Sequence, residues 1–212
     1  MKKRFNQLMD FIPLIDNRTK LTISFGLLVW AATHAFVYPD SYERTICLIA
    51  MAFCFIGDVA LNCMPLNKRP HWLLYLVAFF FMIAHLVYAY AYYTLISNNS
   101  YEFFNPGAYL AVGFMLLIVI AIFIFILKFN VSVKPVMLIV FGFYAIIIGI
   151  NFVTICSYSW NAKAISFIGA LSFLISDLII GIETIFKIKN DILRKMVWIF
   201  YPVGQIIMLT CR

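Results

Sequence analysis

Seven stretches of the chain are continuously apolar and approach or exceed the roughly 20 residues that an α-helix needs to cross a bilayer. They run over residues 21–38, 46–64, 72–96, 108–127, 135–156, 164–186 and 196–209. The first and last are the shortest. In hydrocarbon no water is available to satisfy peptide groups, so only helices and closed barrels span. Barrel strands alternate in polarity over about ten residues, and these stretches do not. The pattern therefore predicts an all-α polytopic membrane protein, a bundle of about seven transmembrane helices.

Composition agrees. The chain of 212 residues is 65% hydrophobic and 12% charged, with mean hydropathy +0.98. A soluble domain is about a quarter charged. The net charge of +7 does not indicate nucleic acid, because the basic residues fall between apolar runs and act as topology signals. With the N-terminus in the cytoplasm, 13 of the 16 Lys and Arg residues lie on the cytoplasmic side. Only Arg44, Lys163 and Arg212 lie outside. The bias holds at every loop, which supports seven spans and an exterior C-terminus. Met1-Lys2-Lys3-Arg4 is followed by Asp10, Asp16, Arg18 and Lys20, so no cleavable signal peptide is expected. Residues 1–20 read as a cytoplasmic segment and 21–212 as one transmembrane domain without repeat or linker. An integral, multi-pass location in the cell's inner or plasma membrane follows.

Two aspartates stand inside apolar runs: Asp58 in the second and Asp177 in the sixth. A carboxylate at a helix centre costs about 2.5–3.5 kcal/mol on insertion scales, and such residues usually mark a catalytic or transport site. Both helices run inward. Asp58 lies roughly 10 Å of helix from Pro65 and Asp177 roughly 15 Å from Lys187, so the carboxyls are expected at similar depth in the cytoplasmic half. The plainer alternative is that each simply bonds a neighbouring helix.

Other polar residues form short stripes. Asn62 shares a face with Asp58. His85, Tyr88 and Tyr92 follow one another along the third helix. His85 lies roughly 21 Å from His71, nearer the outer side unless that helix tilts or starts later. Gln205 is an isolated amide one turn after Tyr201. Packing is the plainer reading for Tyr88 and Tyr92, and hydrogen bonding between helices for Gln205. His34, His71 and Asn151 read as structural, and Glu183 as reaching interfacial water or Lys187. The five cysteines (Cys47, Cys54, Cys63, Cys156 and Cys211) contain no CxxC pair and read as buried thiols. The three histidines are not paired at helical spacing, so neither a metal nor another cofactor is expected.

The ordered motifs Gly57-Asp58-x-x-Leu61, Phe81-x-x-x-His85-x-x-Tyr88, Ser176-Asp177 and Gln205 resemble the YhhN-like lysoplasmalogenase family from about Lys20 to the C-terminus. Two features depart from that family. Lys20 is followed by leucine rather than proline, and residues 1–20 are too polar for the eighth helix that members often carry. The resemblance implies hydrolysis of the vinyl-ether bond of lysoplasmalogens to a fatty aldehyde and glycerophosphoethanolamine or glycerophosphocholine. It implies Asp58 and Asp177 as catalytic carboxyls, with His85, Tyr88, Asn62, Ser176 and Gln205 around the substrate. The expected partners are a lysophospholipid and the bilayer. Competing readings are a lipid or proton-coupled transporter using the same carboxylates, a seven-helix receptor or sensor, and a metal-dependent hydrolase built on Asp58, His85 and Asp177.

Overall fold

A computed structural model describes residues 16–62, 70–128, 135–186 and 190–210. Among them are seven helices and no strand: α1 (Asn17–Val37), α2 (Tyr42–Asn62), α3 (His71–Asn98), α4 (Pro106–Lys128), α5 (Pro135–Asn161), α6 (Ile165–Phe186) and α7 (Asp191–Thr210). All seven are long and apolar enough to cross a membrane. The protein is thus an integral membrane protein by the physics of its helices. Most of the helices begin or end several residues beyond the apolar runs, because caps and prolines, rather than hydropathy, set their ends. Asp16 accepts from the Thr19 amide at 2.8 Å and starts α1. Pro106 and Pro135 open α4 and α5, where a missing N–H is harmless. Asn105 caps α4 through the Ala108 amide (3.0 Å) and donates to the Ser157 carbonyl (3.0 Å), tying α4 to α5.

Neighbouring contacts run α1–α2, α2–α3, α3–α5, α5–α6, α6–α7 and back from α7 to α1, so six helices close a ring, while α4 packs outside it against α5. Many α4 side chains, such as Leu110 and Leu117, are exposed, as a lipid-facing helix requires. The ring interior is the inverse of a soluble core. Alongside apolar side chains it buries Ser24, Asp58, His85, Asn151, Asp177 and Gln205. α6 and α7 approach backbone to backbone: a Cβ on Gly204 would lie 2.8 Å from the Phe173 nitrogen and 3.0 Å from the Gly169 carbonyl oxygen. Close packing through small residues is the usual means of helix association in lipid. Pro202 interrupts α7 and deprives the Trp198 carbonyl of its helical donor.

The sequence-predicted structural residues fall as follows. His34 Nδ1 accepts from Arg44 Nη1 at 3.0 Å at one end of the bundle. Glu183 lies 3.8 Å from Arg194, whereas Lys187 is outside the described residues. Cys47, Cys54 and Cys156 are buried thiols outside any disulfide; Cys63 and Cys211 lie outside the described residues, as do Pro65 and the basic residues of segments 1–15, 63–69, 129–134 and 187–189.

Candidate active site

Asp58 sits one turn before the end of α2 and is almost fully buried. Its Oδ2 accepts from Ser24 Oγ of α1 at 2.6 Å and from Tyr201 OH of α7 at 2.8 Å. Both donors are neutral hydroxyls, which satisfy a carboxyl oxygen that is buried away from the surface. Asn62 does not join them. Its amide donates to the Asp58 main-chain carbonyl at 2.8 Å, so sharing a face with Asp58 brings it to the backbone and not to the carboxyl.

Asp177 is near the middle of α6 and equally buried. Its Oδ2 lies 2.9 Å from His85 Nε2 of α3, and the Tyr144 ring of α5 stands edge-on to His85 with centroids 6.0 Å apart. His85 therefore stands level with Asp177. α3 is 28 residues long, roughly 42 Å at 1.5 Å per residue, and His85 lies near its midpoint. On the other side of the ring, Asn151 Nδ2 lies 2.9 Å from His85 Nδ1. The amide donates, so Nδ1 accepts and Nε2 carries the proton that points at Asp177. Asn151 Oδ1 is buried and accepts no hydrogen bond from the described residues.

Between the two carboxyls lies an aromatic and thiol layer. Phe173 stacks on His85 (centroids 4.6 Å apart) and meets Tyr201 edge-on at 5.8 Å. Cys54, one turn before Asp58 on α2, lies within electrostatic reach of both aspartates. It also accepts from Gln205 Nε2 at 3.4 Å, and Gln205 Oε1 accepts from Tyr88 OH at 2.6 Å. Asp177 lies within electrostatic reach of Asp58, but no hydrogen bond joins them. Each has its own donors, and by helix register Asp58 is nearer the α2 and α6 C-terminal end than Asp177 is.

Of the sequence-predicted set, the ring thus gathers Asp58, Asp177, His85, Tyr88 and Gln205. Ser176 is buried, yet its hydroxyl donates to the Phe173 carbonyl one turn back at 2.7 Å. Tyr92 donates to the Met208 carbonyl at 3.0 Å and joins α3 to α7. Sequence reasoning did not assign Ser24, Tyr144, Asn151 or Tyr201 to the site. The polar residue Asn151 within an apolar helix was the one signal that pointed to them. Among the described residues no three His, Cys, Asp or Glu side chains converge as a metal-ligand set.

A helical ring that encloses two separately caged carboxyls, one of them paired with histidine, defines a polytopic membrane protein with ionisable groups buried in its interior. The chain belongs to the YhhN family, whose model matches residues 18–211. No curated protein and no solved structure matches it.

Proposed function

We propose that this protein is a membrane-embedded hydrolase that cleaves the vinyl-ether bond of lysoplasmalogens to a fatty aldehyde and glycerophosphoethanolamine or glycerophosphocholine. The observation that carries the reading is the pair of buried aspartates in one interior, each held by a different set of donors. Membership of the YhhN family supports a hydrolase-like role in the membrane.

Vinyl-ether hydrolysis begins with a proton added to the alkene carbon remote from oxygen. Positive charge then spreads over the near carbon and the ether oxygen. Asp58, in its ionised form, would accept from Ser24 and Tyr201 and suit the stabilisation of that charge. Asp177, paired with an ionisable imidazole, suits proton delivery. Water adds to the near carbon and returns a proton to Asp177, which restores the acid. Asn151 Oδ1 offers a further acceptor for that water. The hemiacetal hydroxyl proton then moves to the ether oxygen as the carbon–oxygen bond breaks, and aldehyde and glycerol hydroxyl separate. One water is consumed and no redox partner is needed. The offset of the two carboxyls matches the polarity of the bond, because the ether oxygen of a membrane lipid lies nearer the headgroup than the alkene carbon does.

The test is to incubate purified protein with lysoplasmalogen in deuterated water, beside a panel of ester lysolipids. The expected product is an aldehyde carrying one deuterium on the carbon next to the carbonyl. Free fatty acid from the ester lysolipids would point to an ester hydrolase. Turnover of neither would favour a proton-coupled carrier, the reading that the same buried carboxylates support next best.

A further inference from the structure

Both carboxyls are sealed from the surface, so a lipid must enter from the side. We propose that the seam between α1 and α7 is a binding groove for a single-chain phospholipid, with its phosphate at Lys20 and Lys195 and its hydrocarbon chain laid between Trp30 and Ile206. This names how substrate is held at the site proposed above, and it rests on that reading.

Ile23, Gly26, Leu27, Trp30, Pro202 and Ile206 line a groove of about 340 Å³, a volume at the small end of ligand pockets. The spacing of the lining extends to charge. Lys20, Ile23, Leu27 and Trp30 recur at helical intervals on one face of α1, and Lys195, Trp198, Pro202 and Ile206 do so on α7. Each stripe therefore begins with a lysine at the same end of the bundle and is otherwise apolar. The two helices meet at that foot, where the Lys20 Nζ lies 5.7 Å above the Trp198 ring. Asp16 and Glu183 stand within electrostatic reach of Lys20, and Arg194 lies 3.8 Å from Glu183 and 3.3 Å from Asp191, so a bound phosphate competes with these carboxylates for the basic groups of the foot. An anionic head at the foot and one apolar chain above it complement this distribution. A second acyl chain has no place in a groove one helix seam wide.

Register places the chemistry at the right height. Ser24 is one turn above Lys20, about 6 Å along the helix, and Tyr201 precedes Pro202 in the groove wall. Both are bonded to Asp58. The bond just beneath a lysolipid's glycerophosphate thus comes level with the Asp58 cage.

The experiment uses full-length protein in nanodiscs of unbrominated phosphatidylcholine, titrated with lysophosphatidylethanolamine whose chain is brominated and quenches tryptophan. The expected result is a saturable quenching component that disappears in Trp30→Phe and in Gly26→Phe. A Cβ at Gly26 meets nothing within 4 Å, so the added ring fills the groove without disturbing the fold. Lys20→Gln with Lys195→Gln should weaken the saturable component by about tenfold, the effect of losing a charge-assisted phosphate contact. Quenching that rises linearly with lipid, is equal for brominated diacyl lipid and persists in Gly26→Phe would mean ordinary boundary lipid and overturn the groove. Saturable binding without aldehyde release would uphold the groove and sink the hydrolase reading. Aldehyde release with only linear quenching would do the reverse.

Discussion

His85 Nε2 on α3 and Asp177 Oδ2 on α6 meet at 2.9 Å across 92 positions of sequence, both side chains almost wholly buried. If this pair supplies the proton, Asp177→Asn should lower aldehyde release by about 10²–10⁴-fold, the usual contribution of general acid–base catalysis. Asp58→Asn should do the same by removing the stabilising charge. Both variants are near-isosteric and should elute from size exclusion as the parent does. Turnover at the parent rate in either folded variant would exclude that aspartate.

The Ser24 and Tyr201 hydroxyls converge on one oxygen of Asp58. Hydrogen bonds to charged groups contribute about 1.5–3 kcal/mol, so Tyr201→Phe and Ser24→Ala should each lower kcat roughly 10- to 100-fold. Because both act on the same atom, the double variant should lose less than the sum of the two free energies. A double-mutant cycle on kcat measures this directly.

Asn151 is a positioning residue for His85. Asn151→Asp replaces the donor at Nδ1 by a carboxylate, which favours a proton on both ring nitrogens and hence an imidazolium. The nitrogen NMR signals of His85 should change from the neutral pattern to the imidazolium pattern, and kcat should fall by tenfold or more, since a cationic ring beside Asp177 holds it as a carboxylate and deprives it of the proton it must deliver. Asn151→Leu should lower kcat and leave the ring neutral. An unchanged His85 spectrum in Asn151→Asp would remove Asn151 from this role.

Gly204 packs against main chain rather than side chain, with an added Cβ only 2.8 Å from the Phe173 nitrogen. Gly204→Ala must separate α6 from α7 and should cost about 1–3 kcal/mol, as overpacking does. The expected readout is a lower midpoint of thermal unfolding in detergent, together with reduced turnover. Gly26→Ala, placed in open space, should leave the midpoint unchanged.

The seven helices could be read from the chain because each is a local, continuous signal of hydropathy. Asp58 and Asp177 were equally plain, since ionisable groups in apolar runs stand out against their neighbours. The partners were not. Ser24 and Tyr201 reach Asp58 across 34 and 143 positions, and nothing within a window of ten residues distinguishes them from ordinary lipid-facing or packing residues. Only closure of the ring from α7 back to α1 assigns them. Asn62 and Ser176 show the converse. They sit beside the aspartates in sequence, but serine and asparagine in a helix readily bond a carbonyl one turn back, and both do. His85 could not be assigned to Asp177 from the chain, because the pairing joins α3 to α6 across 92 positions.

The cage around Asp58 draws on the first, second and last helices of the ring. The α1 hydroxyl comes from a helix adjacent in sequence, whereas the α7 hydroxyl comes from a helix that returns to α1 only when the ring closes. Full satisfaction of this buried acid is thus a long-range property of the chain, and it ties the integrity of the site to the last contact that shuts the bundle.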